Sequence, residues 1–150
     1  MGSLKVPETI TTDSERETRR AGKALSGILS TGDIVSLEGE LGSGKTQVVK
    51  GIAEGMGIDA EKTVCSPTFT IINIYEGRVK LYHVDLYRLG EEYDELEQTG
   101  IFDVIGGDGI VLIEWGERAK KYLPKNSIRI ILNILSENQR EITVLRGFSP

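Results

Sequence analysis

Thr18, Ala21, Leu25 and Ile28 recur at three- and four-residue steps, with mostly polar residues between them. That spacing lines one face of a helix. Ser14, followed three residues later by Glu17, supplies a capping box at its start. The helix is expected to end between Ser30 and Gly32. The period then changes. Asp33–Leu37 and Ile110–Ile113 are short and largely apolar, as strands covered on both faces are. Lys45–Met56 reads as a second helix, closed by Gly57. Phe69–Tyr75 and Val79–Asp85 are β-rich runs joined by a turn at Glu76-Gly77, so they are expected to lie antiparallel. Glu91–Leu96 reads as an acidic helix, and Arg118–Leu123 as a short helix stopped by Pro124. Ser127–Leu135 and Glu141–Leu145 form a second hairpin around Ser136–Arg140. The expected fold class is α/β: a central mixed parallel/antiparallel sheet flanked by helices, in one domain over residues 1–150. Residues 1–11 are expected to be a flexible N-terminal stretch.

Composition narrows the function classes. Of 150 residues, 18 are Lys or Arg and 23 are Asp or Glu, a net charge of −5. That argues against a broad nucleic-acid-binding face, so no DNA partner is expected, while a local basic site stays open. With 39% apolar and 27% charged residues the chain is globular, not disordered. No apolar run approaches the ~18 residues of a membrane span. The first twenty residues carry charges throughout and lack the apolar core of a signal peptide. A cytoplasmic protein without membrane contact is expected. The single cysteine, Cys65, excludes an internal disulfide and a cysteine-built zinc site; it reads as a packing residue.

The glycines carry the chemistry. Gly39-Glu40-Leu41-Gly42-Ser43-Gly44-Lys45-Thr46 fits G-x-x-x-x-G-K-[ST], after an apolar strand and before a helix. Glycines let backbone N–H groups approach an anion, and the helix start adds its positive end. Glu40, Leu41, Gly42, Ser43, Gly44, Lys45, Thr46 and Gln47 are therefore the expected nucleotide-binding stretch. Lys45 would meet the β- and γ-phosphates, and the Thr46 hydroxyl would ligate Mg²⁺. Such a site needs acids on neighbouring strand ends. Asp85 and Glu114 both stand at the end of apolar runs. Asp85 is assigned to Mg²⁺, directly or through water. Glu114 is assigned to positioning or polarising the attacking water, at the metal. Without an N-K-x-D-like segment, ATP is favoured over GTP.

Other residues keep two readings each. His83 shares a strand face with Asp85, and is either a site neighbour or a satisfied structural histidine. Trp115 lines the site, a partner surface or the core. Thr68, in Ser66-Pro67-Thr68-Phe69, either closes on Mg²⁺ and the γ-phosphate or sits in a proline-fixed turn. Arg88 and Arg118 are candidates for stabilising transition-state charge, although surface arginines are common. The acidic run Glu91, Glu92, Asp94, Glu95 and Glu97 is a solvated face or a docking surface.

Glu38-Gly39-Glu40-Leu41-Gly42-Ser43-Gly44-Lys45-Thr46, Ser66-Pro67-Thr68-Phe69, His83-Val84-Asp85-Leu86-Tyr87-Arg88-Leu89 and Leu112-Ile113-Glu114-Trp115 occur in one order. That order resembles the TsaE family, bacterial ATPases of tRNA threonylcarbamoyladenosine synthesis, from about Thr12 to Leu145. The resemblance implies a P-loop domain with a mixed sheet that binds ATP and Mg²⁺. It implies Thr68 in a switch-like loop, Asp85 as the Walker B-type acid, and Glu114-Trp115 near the site, with Glu114, Lys45 and Thr68 as the catalytic set. It also implies weak intrinsic ATPase activity and dependence on TsaD and TsaB, which transfer the threonylcarbamoyl group to tRNA beside the anticodon; tRNA would be met through that complex. Glu40 stands where the family usually has Asp, Ser43 where Ala is frequent, and Gly116 where Pro is common. Two further classes fit a P-loop: a small-molecule kinase, and a nucleotide-dependent binding module without useful hydrolysis. No Arg-rich lid segment supports the kinase.

Overall fold

The computed structural model describes residues 6–59, 64 and 72–148, and among these seven strands form one sheet. In chain order they are β1 (Glu8–Thr12), β2 (Ile34–Glu38), β3 (Ile72–Tyr75), β4 (Lys80–Asp85), β5 (Gly109–Glu114), β6 (Ile128–Ile134) and β7 (Arg140–Arg146). Across the sheet the order is β1-β7-β6-β2-β5-β4-β3. The four central strands β6, β2, β5 and β4 are parallel. β3 closes one edge antiparallel to β4, and β7 and β1 close the other. Both expected hairpins are present, and so is the mixed sheet.

A parallel centre has to be covered on both faces, and β2 and β5 are buried at every position. Helices α1 (Glu15–Leu25) and α2 (Lys45–Gly55) cover one face, where Leu25, Val48 and Ile52 join Val35, Leu37 and Leu112. On the other face, α3 (Tyr93–Gln98), α4 (Ile101–Val104) and a 3₁₀ segment over Gly116–Tyr122 bring Leu96, Ile101 and Ala119 against Val84, Val111 and Ile113.

The α1–α2 contact is unusually close, and glycine makes it so. A Cβ on Gly51 would lie 1.9 Å from the Arg19 carbonyl oxygen, and one on Gly22 would lie 2.4 Å from that of Val48. Both obstacles are backbone, so neither can rotate away. Arg19 and Glu54 add an ion pair across the same contact. Gly51→Ala is therefore expected to lower stability by ~1–3 kcal/mol through overpacking, despite the better helix propensity of alanine. Denaturant unfolding checks this, and a midpoint at or above that of the unsubstituted chain would contradict the close-contact account.

Several boundaries differ from expectation. Residues 8–11, expected to be flexible, belong to strand β1, with Ile10 opposite Ile142 of β7. β7 offers a free edge there, and Thr9, Ile10 and Thr11 are β-branched residues that suit it. α1 stops at Leu25 and yields to a 3₁₀ turn over Ser26–Ile28. Its Ser14 cap is present, accepting from the Glu17 N–H at 3.1 Å, while Glu17 accepts from the Asp13 N–H. The acidic helix begins later, at Tyr93, because Glu92 is extended as its N-cap. α4 was not expected, and the Arg118–Leu123 helix is instead the 3₁₀ segment from Gly116. Cys65, Ser66, Pro67, Thr68 and Phe69, with the rest of the strand expected before Ile72, lie outside the described residues.

Candidate functional site

β2 ends at Glu38 and α2 begins at Lys45, so the glycine-rich loop joins a central strand to a helix. Gly44, the N-cap of α2, has φ 107°, a left-handed value that glycine adopts without strain. Gly39 allows a close approach: a Cβ there would lie 2.6 Å from both the Leu132 carbonyl oxygen and Ser43 Oγ. No side chain caps the start of α2. Glu40 and Leu41 are exposed, and Leu41 is 70% so, while the Glu40 carbonyl accepts from within the loop. Ser43 is fully buried and Gln47 half-buried.

Lys45 is buried against this loop rather than extended into solvent. Its Nζ donates to the carbonyls of Gly39 at 2.6 Å and Glu40 at 3.0 Å. Burial lowers its pKa from the ordinary lysine value, and the nearby charges of Glu114, Glu117 and Asp85 oppose that shift.

Parallel pairing of β4 with β5 places Asp85 directly beside Glu114. The Thr46 hydroxyl donates to Glu114, with Oγ1 3.1 Å from Oε1 and 3.2 Å from Oε2. Asp85 is half-buried, and its Oδ1 accepts the Tyr87 N–H at 2.9 Å. Burial raises its pKa above the usual carboxylate value; the Tyr87 N–H works against this and the charge of Glu114 adds to it. Two residues expected from far-apart motifs thus meet at Thr46 and Glu114, with Asp85 one strand away.

Trp115 has φ 61°, the one non-glycine positive φ among the described residues. Its N–H donates to the Leu37 carbonyl at 2.9 Å. The ring lies 4.1 Å from Lys45 Nζ, and its centroid is 5.1 Å from that of Tyr87. Of the readings open for Trp115, the structure shows two together: it stands at the loop lysine and packs against the core on the second face of the sheet. Arg118 stacks on the same ring at 5.5 Å and donates to the Leu89 carbonyl, which ties the 3₁₀ segment to the loop after β4. Arg88 and the acidic residues Glu91, Glu92, Asp94, Glu95 and Glu97 are exposed. Thr68 lies outside the described residues.

His83, open between a site neighbour and a structural histidine, is fully buried and bonds to Glu114. Sequence reasoning missed several other neighbours. Tyr75 bonds to His83 in turn. Arg129 grips Glu38 through two bonds of 2.9 Å. Arg140, read only as part of a turn, donates to the Gly42 carbonyl at 3.1 Å. With Ser14, Thr18 and Asn138 it lines a cavity of about 140 Å³ against Gly42 and Gly44. Only His83 left a signal in the sequence, its same-face spacing with Asp85.

Among the described residues no helix is long and apolar enough to cross a membrane. Among the described residues no group of three His, Cys, Asp or Glu stands ready to hold a metal. An α/β domain in which a central parallel strand passes to a helix through such a glycine loop falls in the P-loop class. The family model of the threonylcarbamoyl adenosine biosynthesis protein TsaE matches residues 12–142. The TsaE protein of Treponema pallidum is 44% identical over 131 residues, covering 87% of this chain and 95% of the relative. That of Aquifex aeolicus is 32% identical over 145 residues, covering 95% and 99%. The crystal structure of YdiB from Bacillus subtilis superposes with a TM-score of 0.74 at 31% identity, covering 97% of this chain and 90% of that one. The chain belongs to the TsaE family.

Proposed function

We propose that this protein is an ATPase, weak alone and activated by partners, that supports TsaD–TsaB in forming the threonylcarbamoyladenosine modification of tRNA next to the anticodon. The observation that carries the reading is the Thr46–Glu114 contact beside a glycine loop that buries Lys45. Lys45 would meet the β- and γ-phosphates, and the loop from Glu40 to Gln47 would cradle them with backbone N–H groups.

The residues present fit Mg²⁺. A hydroxyl and carboxylates are hard oxygen donors, and Mg²⁺ is usually held by one or two protein groups together with phosphate and water, not by a full protein cage. Thr46 and Glu114 would hold it, with Asp85 supporting directly or through water. Bound there, Mg²⁺ supplies positive charge that neutralises the phosphates. Glu114 would also polarise the attacking water, and Trp115 would cover the lysine. The small cavity at Arg140 would take the nucleoside end, since it opens against Gly42 and Gly44. The cytoplasm, where tRNA is found, is the proposed location, and contact with tRNA would run through the complex.

The test is phosphate release from ATP by the purified protein, with and without TsaB–TsaD. Slow release alone and faster release with the partners is expected. An equal rate in both conditions would remove partner activation from the reading, and a phosphorylated metabolite in place of free phosphate would replace it by a kinase.

A further inference from the structure

Glu114 sits at the end of a hydrogen-bond chain that begins two strands away. His83 on β4 is 0% exposed. Its Nε2 lies 2.6 Å from Glu114 Oε2, and its Nδ1 lies 3.0 Å from the Tyr75 hydroxyl. Asn73 Nδ2 donates to that hydroxyl at 3.4 Å. The register explains how they meet: Asn73 of β3 lies opposite His83, and Tyr75 is two residues further along β3 on the same face. Asp85 and Glu114 are side by side, so His83, two residues before Asp85, reaches Glu114 diagonally.

We infer that His83 is a positioning residue, which fixes the Glu114 carboxylate in the orientation that presents it to Thr46. This rests on the proposed reading of Thr46 and Glu114 as the Mg²⁺ pair. A carboxylate oxygen accepts, so His83 Nε2 is the donor to Glu114. Nδ1 shares a hydrogen bond with the Tyr75 hydroxyl, whose oxygen accepts from Asn73 Nδ2. Glu114 therefore receives His83 N–H and Thr46 O–H from two directions, and two such bonds define the carboxylate plane. The ring can hold that plane because it is buried in a central strand, with the Tyr75 ring 5.9 Å away. A buried histidine serving only the core would need satisfied nitrogens, but not a carboxylate that itself contacts the loop threonine.

The chain has a single histidine, so ¹⁵N-imidazole NMR reads this ring alone. The variants are Tyr75→Phe, which keeps the aromatic ring, His83→Asn and His83→Gln. The terminal amide of glutamine reaches about as far as Nε2, whereas that of asparagine falls short. ADP is titrated with Mg²⁺ and with EDTA. For the unsubstituted protein, the ring signals are expected to move with Mg²⁺ and ADP together and to stay in place with ADP and EDTA. Tyr75→Phe and His83→Asn are expected to weaken Mg²⁺-dependent affinity about 10-fold, as loss of a group orienting a metal ligand does, with Mg²⁺-free affinity unchanged. His83→Gln is expected to recover most of the loss. Ring signals that ignore Mg²⁺ while Mg²⁺-dependent binding is intact would overturn the role. So would variants that match the unsubstituted affinity, or that lose Mg²⁺-free affinity equally. Absence of any Mg²⁺ dependence in the unsubstituted protein would instead overturn the metal-pair reading, and the positioning role with it.

Discussion

Lys45→Ala is expected to weaken ATP binding at least ~30-fold and to abolish hydrolysis, while the protein unfolds at the same temperature or slightly above. The first half follows from the loss of a buried ammonium that, in the proposed reading, would meet phosphate charge, a deletion that costs ~2–5 kcal/mol when a hydrogen-bonded charge pair is broken. The second half follows from burial. At the sequence level Lys45 stands at an exposed helix start, but in the fold it is 5% exposed and bonded to loop carbonyls. Burial lowers its pKa. A cation with a pKa below its unfolded value burdens the native state throughout the pH range in which it stays charged; the burden fades as pH rises through the folded pKa and is gone above the unfolded one. Removing the lysine therefore takes away a cost along with its two bonds to loop carbonyls, which can turn to water. Calorimetric titration of ATP beside a thermal melt checks both halves. Retained affinity with retained turnover would end the phosphate-cradle assignment.

Glu114→Gln is expected to slow hydrolysis by ~10²–10⁴-fold with the partners present, the range for loss of a group that moves a proton. The substitution preserves shape, so packing around the β5 end should survive. It does not preserve hydrogen bonding. The carboxylate accepts from both Thr46 and His83, whereas an amide has one acceptor and must present its NH₂ to one of these donors. ATP affinity should fall less than the rate does. Asp85→Asn is the control: one Asp85 oxygen already holds the Tyr87 N–H, so its loss should appear mainly as a higher Mg²⁺ requirement. Single-turnover rates beside Mg²⁺-dependent binding curves separate the two acids. Hydrolysis by Glu114→Gln at the unsubstituted rate would exclude its role in proton transfer.

What the sequence could show was local. The glycine loop is a contiguous motif, and its strand and helix are announced by a change of period within a few residues. β5 was legible because Ile110–Ile113 is apolar on both faces, which only a covered strand tolerates. The antiparallel hairpins were legible because short turns leave no other arrangement. What failed was non-local. β1 has five residues, and its partner is β7, more than a hundred residues away; no period can be read over such a length. The Thr46–Glu114 bond spans 68 residues, and only the parallel register of β2, β5 and β4 brings its ends together. Motif logic pointed to Asp85 and Glu114 as acids but could not say which one touches Thr46. Gly51 is ordinary in a sequence and costly for a helix; its reason, the Arg19 carbonyl, belongs to another element. The positive φ of Trp115 had no signal, since such values are expected of glycine.

Trp115 is also the only tryptophan in the chain. An indole within contact range of an ammonium group is a fluorophore beside its own modulator, and here that group is the lysine of the glycine loop. Any event that draws Lys45 toward a ligand changes the field on the ring, so the intrinsic emission of the unlabelled protein becomes an optical record of the loop. Lys45→Met supplies the dark control, keeping an unbranched apolar side chain and removing the charge. Stopped-flow emission can then time loop engagement separately from phosphate release, with no dye attached and no substitution in the protein under observation.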